Sequence, residues 1–216
     1  DETMDLKWAS QKVRKLIDKH LLSLGIDTKV QQVSVLSDEF ITKVDTLNRT
    51  PKSKASDMEH AIRWHIKVNL EKDPTLYGRF KDRLERILNS YKENWDEIVK
   101  ELSSLRDEMA EGRKVETEGI SIEEAPFFDL LKANISKTSD EEINKTKELT
   151  HILIVILKET AAINNFWTDK AAERKRIEDM IEDEIRYSRI PELSAKASEM
   201  ATELMKLAKN RESDLR

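Results

Sequence analysis

Ten apolar residues recur at helical spacing through the middle of the chain, and they restrict its fold more than any other feature. They are Leu76, Phe80, Leu84, Ile87, Tyr91, Trp95, Ile98, Leu102, Leu105 and Met109. Their steps of three or four residues average about 3.7, close to the 3.6 residues of an α-helical turn. Asp73-Pro74 is typical of a helix start and Gly112 of a helix end. The pattern predicts one very long helix over 73–112, roughly 55 Å in length, with Leu84 and Ile98 in the interior.

The composition favours helices in the rest of the chain as well. The 216 residues include only 4 Gly and 4 Pro, and 38% are charged. We therefore predict an all-α fold, an irregular helical bundle of about seven to eight helices with the long one at its centre. The absence of Cys excludes disulfides and thiolate metal sites. No apolar run approaches the ~18–20 residues of a membrane span, so we expect a cytoplasmic protein without membrane contact.

Periodicity and capping patterns predict the other helices. Two of them are expected at 6–24 and 29–47, and a polar linker at 48–54 follows. Ser-x-x-Glu capping boxes at Ser56, Ser121 and Ser139 predict helices over 57–70, 121–134 and 139–163. The six-residue apolar run at 152–157 predicts that the last of these is buried all round. A turn at 165–169, helices to about 187 and over 193–208, and a frayed end complete the prediction.

The ionisable residues do not form a pattern that predicts catalysis. There is no Gly-rich phosphate loop and no Gly-Lys-Ser/Thr. His60 and His65 are five residues apart and point about 140° away from each other on a helix, which favours a partly buried His65 and a surface His60 over a metal site. The acidic residues of 173–184 alternate with Arg and Lys, as on an ion-paired, solvated helix face. We predict no catalytic, cofactor-binding or metal-binding residue.

Two groups of residues are candidates for contact with a partner. Arg63, Trp64 and Lys67 lie in the only local basic excess near an aromatic side chain, together with Lys52 and Lys54. They could contact DNA or protein, although Arg63 could instead support its helix through Glu59 at i−4. The net charge of −5 counts against a DNA-binding face over the whole surface but leaves a local patch open.

The second candidate group is aromatic. Phe127, Phe166 and Trp167 lie at helix starts beside turns, next to Phe128. An aromatic residue there is either a core residue or an anchor for another protein. The core interpretation is favoured, and the anchor interpretation stays open.

Several segments resemble the C-terminal helical region of the restriction (motor, R) subunit of type I restriction-modification enzymes. The resemblance is carried first by residues 54–67, KASDMEHAIRWHIK. It continues through the segments EKDPTLY, RLERIL and YKENWDEI at 71–77, 83–88 and 91–98, and through EAPFF and FWTDKAA at 124–128 and 166–172. It covers roughly residues 50–215.

The resemblance implies a non-catalytic assembly region. Such a region would help hold the ATP-driven DNA translocase and nuclease subunit on the methyltransferase core. Its partners would be the modification and specificity subunits. Contact with DNA would be possible through the parent complex. The parent would be an ATP-dependent type I site-specific deoxyribonuclease, and ATP and Mg would belong to upstream domains, with no cofactor in this segment. We expect an N-terminal helical segment at 1–50 and a C-terminal helical assembly domain at 51–216. The alternative is a DNA-contacting helical extension that binds duplex near the motor domains.

Overall fold

Every regular element that the structure describes is a helix. The computed structural model describes residues 34–47, 50–91, 94–114, 117–136 and 139–216, and these ranges contain eleven helices and no strand. They are α1 (Asp38–Leu47), α2 (Pro51–Asn69), α3 (Pro74–Tyr91), α4 (Trp95–Glu111), α5 (Ala125–Lys132), α6 (Asp140–Ala161), α7 (Phe166–Asp169), α8 (Ala171–Arg186), α9 (Pro191–Ala195), α10 (Ala197–Asn210) and α11 (Glu212–Leu215). The all-α class is confirmed. The helix predicted at 6–24 and the first residues of the one predicted at 29–47 lie outside the described residues.

The prediction of a single long helix over 73–112 is wrong, because the segment forms two helices, α3 and α4. Asn94 caps the second, and the Glu97 N–H donates to its Oδ1 at 3.4 Å. Ile87 and Ile98 are eleven residues apart, which is about three helical turns. The apolar period therefore continues in phase across the break and does not reveal it.

The predicted burial of this stripe is confirmed at eight of its ten positions. Leu84 and Ile98 are each 1% exposed, and Tyr91 and Trp95, on either side of the break, are only partly buried. Gly112 ends α4 as predicted. Its N–H donates to the Met109 carbonyl at 3.2 Å, and its φ of 73° lies in the left-handed region that favours glycine.

Of the three predicted capping boxes, the second and third form and the first does not. α2 begins at Pro51 rather than near 57, because Thr50 is its cap and accepts from the Ser53 N–H at 3.2 Å. Ser56 is therefore inside the helix, and most of the predicted linker is helical. At Ser139 the reciprocal box with Glu142 is complete. Ser121 and Glu124 also exchange hydrogen bonds, in a turn that precedes α5.

The chain divides into two compact units. One comprises the described residues up to Val68 together with Gly78–Gly112, and the other comprises Asn69–Tyr77 together with Arg113–Arg216. This division does not test the predicted domain boundary after residue 50, which stays a prediction.

In the first unit, arginines connect the helices. The buried guanidinium of Arg106 on α4 donates to the carbonyls of Val35 and Leu36 at 3.1 and 3.0 Å. Arg83 on α3 reaches Glu108 on α4. A buried guanidinium is tolerated only when its donors are satisfied, so Arg106 fixes the backbone at 35–36 against α4.

The second unit has an aliphatic core between α5, α6, α8 and α10, and α10 packs most extensively on α8. Residues exposed by 1% or less include Phe127, Leu131, Leu153, Leu157, Ile181, Ile185, Leu193, Ala201 and Leu204. Leu215, in the last short helix, is also buried, so the prediction that the chain end frays is wrong. The predicted helix at 193–208 is in fact two, α9 and α10, and the predicted turn at 165–169 contains the single helical turn α7.

The prediction that the run at 152–157 is buried all round is also wrong. Leu153 and Leu157 face the core, whereas Ile152 and Val155 are 45% and 60% exposed. α6 therefore has one buried face and one solvent face that carries two large aliphatic side chains.

An ion-pair network lies inside the second unit. Arg113 donates two hydrogen bonds to the Asp73 carboxylate and one to Asp129, each at 2.6 Å. The Asp73 side chain is 5% exposed and that of Arg113 is 9% exposed. Asp73 also accepts the Leu76 N–H at 3.1 Å, so the same carboxylate caps α3. Burial opposes the charge on Arg113, but its bonds to Asp73 and Asp129 leave its pKa raised.

Candidate functional site

The basic and aromatic segment of α2 is mostly engaged within the first unit. Arg63 forms a 2.7 Å pair with Glu85 and a 3.0 Å pair with Glu59. The hydrogen bond that Arg63 donates to Glu85 is the main reason why the pKa of Arg63 is raised. Trp64 is partly buried, and Lys67 is exposed. The helix-support interpretation of Arg63 is therefore confirmed, and contact of this segment with DNA or a partner stays a prediction.

The two neighbouring lysines also have intramolecular partners. Lys54 pairs with Asp45, and the Lys52 ammonium lies 5.3 Å from the centre of the Trp95 ring, a cation–π geometry. Lys52 and Trp95 line a cavity of about 160 Å³, together with Ser56 and Glu59. This volume is below the ~300–1,000 Å³ of typical small-molecule sites. Most of the basic side chains in this segment therefore already have partners within the chain, in the absence of any DNA phosphate.

The aromatic candidates belong to the core of the second unit. Phe127 and Phe166 are 1% and 2% exposed. Trp167 is partly buried and packs edge-on against Phe166, with ring centres 4.8 Å apart. The favoured core interpretation agrees with this burial. A role as a partner anchor stays a prediction, and of the three rings only Trp167 is partly accessible in this conformation.

His60 and His65 are arranged as the sequence predicted. His60 is exposed and His65 is partly buried, and burial lowers the pKa of His65. His151 Nδ1 lies 2.9 Å from Glu124 Oε1. Burial tends to raise the pKa of Glu124, but its bonds from Ser121 and His151 outweigh that effect and lower it. Within the part of the chain that the structure describes, no group of three His, Asp or Glu residues could hold a metal ion.

The acidic helix α8 is an ion-paired surface, as predicted. Lys175 pairs with Asp179 at 2.8 Å, Arg176 with Glu173 at 3.1 Å, and Arg186 with Glu182. All are spaced by three or four residues along the solvent face of the helix. Such pairs contribute a few tenths of a kcal/mol each to the stability of a helix. Ion pairing therefore accounts for the charge pattern, and no catalytic role is needed to explain it.

The structure adds a surface feature that the sequence did not predict. Ile122, Ile152 and Val155 are 55%, 45% and 60% exposed. We call these three residues the aliphatic patch. Ile152 and Val155 are three residues apart and share one face of α6. The hydrogen bond that Glu124 accepts from His151 places the turn that carries Ile122 beside the same face. Polar residues at every third or fourth position would have indicated an exposed face of the helix. The continuous apolar run at 152–157 does not contain them.

Comparison with known proteins gives the family. Residues 9–213 match the family described as type I restriction enzyme HindI endonuclease subunit-like, C-terminal. The chain belongs to this family. The resemblance seen in the sequence is thereby confirmed, and it extends over almost the whole chain.

A curated relative agrees with the family. The putative type I restriction enzyme MjaIXP endonuclease subunit of Methanocaldococcus jannaschii is 24% identical over an alignment of 184 residues, and the match covers 72% of this chain. The match spans 17% of the length of that relative. No solved structure matches the chain. None of the described helices is long and apolar enough to cross a membrane.

Proposed function

We propose that this C-terminal region is a docking module that holds the restriction subunit on the methyltransferase core. The partners would be the modification and specificity subunits. In this proposal the ATP-driven translocase and nuclease chemistry belongs to the parent subunit, and the helical region supplies a preformed surface. A surface that is rigid before binding loses less conformational entropy on association than a flexible one, and the buried ion pairs and aliphatic cores support such rigidity.

One observation favours docking over the alternative of a DNA-contacting extension. Two of the basic residues of this segment already have partners, since Arg63 contacts two carboxylates and Lys54 contacts Asp45. Duplex binding draws its affinity from cations that neutralise phosphates and release counterions. Cations that are already compensated by carboxylates contribute less to that term.

A binding experiment separates the two functions. The 216-residue chain is mixed with the assembled modification and specificity subunits on a sizing column, and in parallel with a labelled duplex at several salt concentrations. Docking predicts co-elution with the core in the absence of DNA and a shallow dependence on salt. Binding to the duplex with a steep fall in log affinity against log salt, and no co-elution with the core, would contradict docking and support the DNA-contacting alternative.

A second experiment uses the parent subunit. Removal of this region from the full-length restriction subunit should abolish its stable association with the core, while ATP hydrolysis by the separate subunit is retained. Unchanged assembly without the region would show that the docking contacts lie elsewhere.

A further inference from the structure

The aliphatic patch has the character of a protein contact surface. Single exposed apolar side chains are normal on a protein surface, but grouped ones often mark interaction sites. Ile122, Ile152 and Val155 are all β-branched, and such side chains lose little rotamer freedom when they are covered. The helix that carries two of them is anchored on its other face by fully buried Leu153 and Leu157, so the patch rests on a fixed support.

The position of Ile122 relative to α6 follows from two neighbouring contacts. Glu124 accepts a hydrogen bond at 2.9 Å from His151, one residue before Ile152. Glu123 interacts electrostatically with Lys158, three residues after Val155. The turn at 121–124 therefore lies beside the solvent face of α6 at His151, which brings Ile122 into the neighbourhood of Ile152 and Val155.

Carboxylates predominate around the patch. Glu148 lies one helical turn before Ile152, Glu159 lies one turn after Val155, and both are exposed. Glu123 and Glu124 border the patch on the side of the turn. The cations of this face are Lys147 and Lys158, and the charge of Lys158 acts on Glu123. The rim is therefore net acidic.

This charge pattern selects among the possible occupants. DNA phosphates would be repelled by the rim. A second copy of the chain, in a symmetric contact, would place acidic rims against each other. A protein surface with aliphatic side chains flanked by lysines or arginines matches both the apolar centre and the acidic border.

We propose that the patch of Ile122, Ile152 and Val155 docks an aliphatic, basic-rimmed surface of the methyltransferase core. The inference rests on the proposed function, because it assigns the surface through which that docking occurs. The apolar centre would supply most of the affinity, and the carboxylates at Glu148 and Glu159 would set orientation and association rate.

A matched pair of double variants tests the apolar centre. Ile152→Ser with Val155→Ser removes two exposed aliphatic groups from the patch. Leu47→Ser with Val68→Ser removes two others of similar exposure, 58% and 51%, from the first unit. Both double variants should fold, since all four side chains are exposed. We expect the first to bind the core at least about tenfold more weakly than the unaltered chain, and the second to bind it unchanged.

Charge reversal tests the rim. Glu148→Lys with Glu159→Lys should slow association with the core and reverse or remove its salt dependence. Glu184→Lys, on the exposed face of α8, is the control and should leave the association rate nearly unchanged. Faster association of the rim variant would contradict a basic-rimmed partner.

The absence of cysteine allows the contact to be located directly. Val155→Cys and Val68→Cys each introduce a single thiol that can carry a photoactivatable cross-linker. The label at 155 should cross-link to a modification or specificity subunit in the assembled complex, and the label at 68 should not.

The outcomes distinguish the two levels of the proposal. If the unaltered chain does not bind the core, the proposed function fails and the patch assignment fails with it. If the unaltered chain binds but the patch variants bind equally well, or the label at 68 cross-links in place of that at 155, docking stands and the assigned surface is wrong.

Discussion

Arg113→Met tests whether the buried ion-pair network holds the second unit together. The substitution keeps an unbranched side chain of similar reach and removes the charge. It leaves the Asp73 carboxylate, which is 5% exposed, without the two 2.6 Å hydrogen bonds that it receives from the guanidinium. The Leu76 N–H remains as a donor to Asp73, but a single backbone bond does not compensate a buried anion.

The expected loss is large for one substitution. Removal of one partner from a buried ion pair costs about 3–5 kcal/mol, because the other charge is left uncompensated. Asp129 is 23% exposed and can be hydrated, so most of the loss should come from Asp73. Whole domains are stable by only about 5–15 kcal/mol, and the expected loss is therefore a large fraction of the stability of one unit.

Urea unfolding at pH 7, followed by circular dichroism, measures the effect. Two further variants separate charge from geometry. Arg113→Lys keeps the charge but loses the planar fork, and should fall between the methionine variant and the unaltered chain. Arg176→Met is the matched control in the same unit, since Arg176 is 58% exposed and its partners among the described residues, Glu173 and Met180, lie on its own helix. It should cost less than about 1 kcal/mol. A loss below about 1 kcal/mol for Arg113→Met would refute the argument that the network is energetically important.

Three further predictions concern the stability of the fold. Ile98→Ala, at a fully buried position, should destabilise the first unit by about 2–5 kcal/mol in urea unfolding, whereas Leu47→Ala, at an exposed one, should change it by about 0.5 kcal/mol or less; equal effects would contradict the assigned interior. Ser139→Ala removes the cap of α6 and should cost about 1 kcal/mol by the same assay, while Ser198→Ala, inside α10 and exposed, should cost little. Burial lowers the pKa of His65 below its ordinary value of about 6.5, so the unfolded chain takes up a proton at higher pH than the folded one. The contribution of neutral His65 to the free energy of unfolding is complete above about pH 6.5, and it is lost as the pH falls through that value towards the lower folded pKa. His65→Gln should therefore flatten the dependence of unfolding free energy on pH in this range. An unchanged pH dependence would contradict the prediction.

The apolar period predicted burial better than continuity. It gave the correct interior position at eight of the ten residues from Leu76 to Met109, because burial depends on the phase of each helix. It missed the break before Asn94 because the apolar positions of α3 and α4 keep the same helical spacing along the sequence. The information was nevertheless present, since Asn94-x-x-Glu97 has the spacing of a cap followed by its third helical residue.

Other features could not be predicted from local sequence. Asp73 and Arg113 are forty residues apart, and nothing in the charge pattern distinguishes this pair from many others in a chain with 38% charged residues. The exposure of Ile152 and Val155 was concealed because a run that is apolar all round a helix is normally buried. The predicted contact residues Arg63, Trp64, Lys67 and Trp167 remain to be tested by binding.

The short segment Asn69–Tyr77 has a consequence for how this region can be dissected. It lies in sequence between the two parts of the first unit, yet it belongs to the second unit. There, the Asn210 side chain donates to the Glu71 carbonyl, and Arg211 donates to that of Lys72. A truncation that starts at residue 113 would retain Arg113 and Asp129 but lose Asp73, the more buried of the two carboxylate partners of Arg113, together with these backbone acceptors. A fragment of the second unit should therefore start no later than Asn69, and failure of a 113–216 fragment to express would reflect the path of the chain rather than an inability of the unit to fold.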